Sequence, residues 1–188
     1  MKSSGGIKII IVGVILAAIV VVYFYYTANK VDEIREENVQ STQVQTVLLR
    51  DLDKNYPPSP KEVVKYFNEI TKCFYNEKYT DAELNELAVK IQGLYDNELI
   101  ANKSQEDYLK DLKSDIAEMK MNDRSISSYQ VSASTDVEFF TQDGDSCARL
   151  YCTYGIRQGT EILQSSVVFI LRQDEAKHWK ILGWAEDD

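Results

Sequence analysis

Histidine occurs once, at His178, and cysteine three times, at Cys73, Cys147 and Cys152, in 188 residues. That scarcity leaves no material for a zinc site built from His and Cys, and no metal or other cofactor is expected. No glycine-rich phosphate loop, no G-x-S-x-G and no H-E-x-x-H is present, so the common phosphate-binding, hydrolase and metalloprotease signatures are excluded. Basic charge is also short. There are 21 Lys and Arg against 30 Asp and Glu, a net charge of −9, which argues against a nucleic-acid partner. Proline occurs three times, all within Tyr56-Pro57-Pro58-Ser59-Pro60, so the remainder of the chain is free to form helices and strands.

Charge is absent from one long stretch. Residues 9–29 read IIIVGVILAAIVVVYFYYTAN, without a charged side chain. As a helix rising about 1.5 Å per residue they reach roughly 31 Å, the thickness of a bilayer core. A cleaved signal peptide has a shorter apolar run, and its small-x-small site would here place bulky Tyr26 at the −3 position. The expectation is an uncleaved transmembrane helix whose partner is the lipid bilayer. Lys2, Lys8 and the amino terminus precede it, while Asp32, Glu33, Glu36 and Glu37 follow among Lys30 and Arg35. The positive-inside bias then predicts a cytoplasmic tail over 1–8 and an external body at the cytoplasmic membrane. Tyr23, Phe24, Tyr25 and Tyr26 suit the outer interface.

Residues 30–55 are polar with scattered apolar positions, a stalk by this reading. The proline cluster marks the start of a domain over 56–188. Ser59-Pro60-Lys61-Glu62 is a complete helix start, and Val63, Phe67, Ile70 and Phe74 follow at helical spacing. Thr80-Asp81-Ala82-Glu83 begins a second helix with the stripe Leu84, Leu87, Ala88, Ile91, Leu94 and Tyr95. Ser104-Gln105-Glu106-Asp107 begins a third, with Tyr108, Leu109, Leu112, Ile116 and Met119.

After Asn122 the period falls to 2. Over 128–139, Tyr129, Val131, Ala133, Thr135, Val137 and Phe139 share one face of a strand. Asp143-Gly144 turns the chain. Ala148, Leu150, Cys152, Tyr154 and Ile156 then face inward, followed past Gln158-Gly159 by Leu163, Ser165, Val167, Phe169 and Leu171. The last strand is Trp179 to Trp184. The predicted class is α+β: three helices on a curved antiparallel meander of about four strands.

That order, with the ending Trp179-Lys180-Ile181-Leu182-Gly183-Trp184, resembles the nuclear transport factor 2-like superfamily, which includes SnoaL-like and ketosteroid isomerase-like proteins. The resemblance implies a cone-shaped domain that holds a ligand, hosts catalysis or is filled by side chains. The anchor together with YPPSPKEVVKYFNEI, CFYNEKYTDAELNELA and WKILGW is similar to an uncharacterised family of Gram-positive bacterial membrane-anchored proteins, and this likeness supplies no activity.

No carboxylate falls on a predicted inward face of the meander, and alternation turns His178 away from Trp179 and Ile181. No catalytic residue is assigned. The inward polar groups are Tyr129, Thr135, Cys152, Tyr154 and Ser165, the expected lining of any pocket. Cys147 and Cys152 point to opposite faces of one strand and cannot bridge. The expected function is a non-enzymatic, membrane-anchored binding or scaffold domain, with a protein partner or a second copy as its associates. The alternative is a small-molecule pocket enzyme of the SnoaL-like kind.

Overall fold

A computed structural model describes residues 43–187. The expected cytoplasmic tail, the run over 9–29 and the first part of the stalk lie outside the described residues. No helix among the described residues is long and apolar enough to cross a membrane.

The described unit is α+β, helices first and sheet second. Residues 43–49 are helical, and Val44 and Val47 are buried in the core. The packed unit therefore takes in residues ahead of the proline cluster. Four labelled helices follow: α1 (Pro60–Asn76), α2 (Asp81–Gln92), α3 (Asn97–Ala101) and α4 (Gln105–Met121). The three predicted helices are α1, α2 and α4, and their starts are capped as read. The Ser59 hydroxyl accepts from the Glu62 amide, Thr80 and Glu83 form a reciprocal capping box, and Ser104 accepts from Asp107. The short α3 lies in the expected Asp96–Lys103 link, where the Asp96 side chain caps it.

Helix α1 is the centre of the unit. Val63, Val64, Ile70, Cys73 and Phe74 are 2% exposed or less, a stripe at i, i+3, i+4 spacing pressed on the sheet. Each fully buried apolar side chain of this kind stabilises the fold by about 1.5–3 kcal/mol. Asn76 fixes the end of α1: its amide donates to the Ile126 carbonyl and its oxygen accepts from the Ile126 N–H, at 2.8 and 2.9 Å.

The sheet has five antiparallel strands: β1 (Arg124–Val131), β2 (Glu138–Gln142), β3 (Asp145–Gln158), β4 (Glu161–Gln173) and β5 (Trp179–Glu186). They are ordered β1-β3-β4-β5, and β2 also pairs with β3. This corrects the expected single strand over 128–139. The edge lane beside β3 is split into β1 and β2. At the break Ser132 bonds Tyr151, its hydroxyl accepting from the Tyr151 N–H at 2.9 Å, and Ser134–Asp136 wind into a 3-10 turn. Local side-chain bonding of this sort competes with the strand ladder. The β2–β3 turn is the expected Asp143-Gly144, with φ of 53° and 92°, the double left-handed geometry that favours a tight hairpin.

At the far edge, the backbone of residues 94–96 brackets β5: the Ile181 N–H donates to the Leu94 carbonyl and the Asp96 N–H to the Ile181 carbonyl, both at 2.8 Å. Asp96 is 5% exposed and takes a two-pronged bond from the Arg172 guanidinium, at 2.6 and 3.0 Å. Burial alone would raise its pKa; the guanidinium and the Glu98 N–H outweigh that and hold it below the usual carboxylate value.

Candidate functional site

Register pairing identifies one inner face of the sheet. Ile126 pairs with Ile156, Tyr129 with Tyr154, Cys152 with Val167, Leu150 with Phe169, and Leu171 with Ile181. Toward the Ala148 end these side chains meet α1 and are sealed: Ala148, Leu150, Cys152, Phe169, Leu171 and Ile181 are all 0% exposed. Toward the Ile156 end the sheet and helices part, leaving a cavity of about 590 Å³.

Its floor is Tyr154, Ile156, Val167 and Phe169 from the sheet. Phe67 and Thr71 of α1 form one wall. Tyr108, Asp111, Leu112, Asp115 and Met119 of α4 form the facing wall, and Tyr95, Leu99 and Ile100 close the side. Trp184 completes it. Simple alternation would turn Trp184 away from Ile181. A bulge at Leu182 inserts one residue opposite the Ile170–Leu171 step, so Trp184 pairs with Phe169 and returns to the inner face. Gly183 beside the bulge is the sequence signal, because glycine inside a strand often marks one. The Trp184 ring lies 5.3 Å from Phe67, 5.6 Å from Tyr95 and 6.2 Å from Phe169, and Tyr95 meets Tyr108 edge-on at 6.4 Å. The cavity thus has a continuous aromatic wall. Trp184 is 45% exposed, whereas Phe67, Tyr95 and Phe169 are 7% exposed or less, so the wall is reached through the Trp184 ring.

Of the five expected lining residues, the cavity receives Tyr154 alone. Its hydroxyl donates to Asn68 Oδ1, while Asn68 Nδ2 donates to the Val64 carbonyl at 2.8 Å and meets Cys152 Sγ at 3.5 Å. Cys152 is sealed in this network beneath the floor. Tyr129 packs against the core beside Tyr154. Ser165 pairs with Tyr154 and is half-buried. Thr135 is exposed on the 3-10 turn and bonds Asp136, because the lane is broken before it. Leu163, also expected inward, is 45% exposed, since the helices no longer cover that end of β4.

The ionisable lining comes from α4 and the link before it. Lys103 and Asp111 pair at 2.6 Å. Asp115 has no hydrogen-bond or ion-pair partner among the described residues. Partial burial, with Asp111 and Glu118 nearby, pushes its pKa up, and Lys103 only partly offsets this. Asp111 and Asp115 follow Tyr108 at i+3 and i+7, so helical spacing set them on the cavity side of α4. Attention to the apolar stripe alone passed over them. Burial pushes the Tyr75 hydroxyl up to about 12 and raises Tyr95 and Tyr108 as well.

His178 faces elsewhere. It stacks on Tyr56 at 4.3 Å and borders a shallow surface hollow beside residues 48–53 and α2. Its Nδ1 is 3.8 Å from Asp174, beyond hydrogen-bond reach. The lysines of that hollow are already engaged: Lys90 donates to the Arg50 carbonyl and Lys180 to the Gly93 carbonyl. All three cysteines are buried free thiols, and burial pushes their pKa values up, Cys73 to about 12, which suits inert core positions.

A family model described as a domain of unknown function (DUF6715) matches residues 1–184, and the chain belongs to that family. No curated protein matches it.

Proposed function

We propose that this chain is a membrane-anchored binding domain that takes up a small, largely apolar molecule outside the cytoplasmic membrane. The observation that carries the reading is the open aromatic cavity between α4 and the sheet. Its volume of about 590 Å³ lies within the range of about 300–1,000 Å³ usual for small-molecule sites. Helices followed by a long-stranded antiparallel sheet, with a hollow between them, support a cone-shaped domain of the nuclear transport factor 2-like kind. The uncharged run over 9–29 supports the anchor, and the acid-free residues before it support an inward amino terminus.

The reading is tested by filling the cavity. Val167→Trp in the full chain should abolish uptake of a small aromatic probe seen by ligand-observed NMR, while the fold persists by circular dichroism. Undiminished uptake would refute it. Alkaline carbonate extraction of membranes tests the anchor: the chain should remain in the pellet, and removal of residues 1–29 should release it.

A second reading, a pocket enzyme, draws on one observation. Asp115 lines the same solvent-reached cavity as Tyr75 and Tyr108. A carboxylate with a raised pKa that shares a cavity with phenols is a candidate proton-transfer group. Under this reading a bound ligand with an acidic C–H exchanges deuterium from solvent, and Asp115→Asn stops the exchange without stopping binding.

A further inference from the structure

The charges around the cavity narrow what it can hold. Among the described residues, its ionisable side chains other than tyrosine are Lys103, Asp111 and Asp115. The first two pair at 2.6 Å, so among the described lining residues Asp115 is the carboxylate without an ion-pair partner, only partly offset by Lys103. An anionic ligand would meet that charge with no unpaired cation among the described lining residues to receive it. Asp115 is exposed on α4, so a cationic ligand can pair with its carboxylate where a neutral one leaves it to solvent.

The wall opposite supports the same sign. The exposed Trp184 ring is backed by the buried rings of Phe67, Tyr95 and Phe169, with centroids 5.3–6.2 Å from its own. Aromatic faces carry negative electrostatic potential and attract a cation held within about 6 Å. Among the described residues no cation lies over this wall. Arg50, Lys120, Arg149 and Lys180 lie over Tyr66, Tyr79, Phe140 and Tyr56, none of them a ring of the cavity. Asp115 and the rings therefore favour a positive charge from two independent features of one site.

We propose that the cavity takes an organic cation, a quaternary or protonated amine on an apolar body, with its charge held between Asp115 and the aromatic wall. This inference rests on the binding reading above. A quaternary centre suits the site better than a primary ammonium: it is weakly hydrated, needs no hydrogen-bond acceptors and sheds water at lower cost.

The test uses the full chain in lipid nanodiscs, with empty discs as the blank, and three probes of similar size. Benzyltrimethylammonium carries the cation, neopentylbenzene is its neutral carbon analogue, and phenylacetate is an anion. The cation should bind about tenfold more tightly than the neutral analogue, and phenylacetate most weakly. Asp115→Asn should weaken the cation about fivefold and change the neutral probe less than about twofold. Trp184→Leu should likewise shrink the preference for the cation. Equal binding of the cation and its neutral analogue, or a preference unchanged in Asp115→Asn, would overturn the cation assignment and leave the cavity reading standing. Binding of none of the three would overturn both.

Discussion

Helices α1 and α4 are each 17 residues long and each begins with a serine cap, yet they do different work. Nine residues of α1 are buried, against Leu112 and Ile116 alone on α4. The remaining inward positions of α4 look onto the cavity. A helix pressed on a sheet along its whole length stabilises the fold. A helix that spans a hollow gives up that contact, and its free face is where chemistry can be placed. Most helical stability in proteins comes from such tertiary packing, so the two helices should differ in energetic weight.

Truncation breaks the comparison most directly. Ile70→Ala in α1, at a fully buried position, should cost about 4 kcal/mol, and Leu112→Ala in α4 about 2 kcal/mol, because the second leaves atoms that already border open space. Urea unfolding of the two variants checks the ranking, and equal costs would show that α4 is as firmly seated as α1. Native-state hydrogen exchange should agree, with α4 amides opening before those of α1.

The seam between the sealed and open halves gives a smaller effect. Asn68 is 0% exposed and receives the Tyr154 hydroxyl. Asn68→Ala should cost about 2 kcal/mol, because it leaves that hydroxyl buried without an acceptor, and Tyr154→Phe about 1 kcal/mol. The double variant should cost about 2 kcal/mol rather than the sum, since Phe asks for no acceptor. Strict additivity would show that the two side chains act separately.

How far the sequence foretold this arrangement also follows the comparison. The stripe of α1 and that of α2 were legible because burial makes apolar spacing obligatory. Val63, Phe67, Ile70, Phe74, Leu84, Leu87 and Ile91 are all in the core. The inner row Ala148, Leu150, Cys152 and Tyr154 was legible by alternation for the same reason. The reading ran out where the chain departs from its period. Thr135 was lost to a break made by Ser132, and Trp184 was gained through a bulge at Leu182. Asp111 and Asp115 escaped because a helix lining a water-reached cavity tolerates polar residues on its inner face, and polarity there reads as solvent exposure.

Two carboxylates extend the contrast to pH, with opposite signs. Asp96, bound by Arg172, has its pKa held below the unfolded value. Its contribution is present above the unfolded pKa of about 3.9 and disappears as pH falls through the folded value. Asp96→Asn should therefore cost about 1–2 kcal/mol at neutral pH and progressively less in acid. Asp115 is raised by partial burial and by Asp111 and Glu118. Its ionised form is the strained one, so its penalty is absent below about pH 4 and grows as pH rises through the folded pKa. Asp115→Asn should stabilise the ligand-free chain at neutral pH by up to about 0.5 kcal/mol, a small figure because solvent screens the group, and the gain should vanish in acid. A group that weakens the empty protein while standing in a reachable cavity is what a binding residue looks like before its ligand arrives. If Asp115→Asn proved destabilising at neutral pH, the carboxylate would be a structural partner of α4, and the division between the two helices would lose its functional meaning.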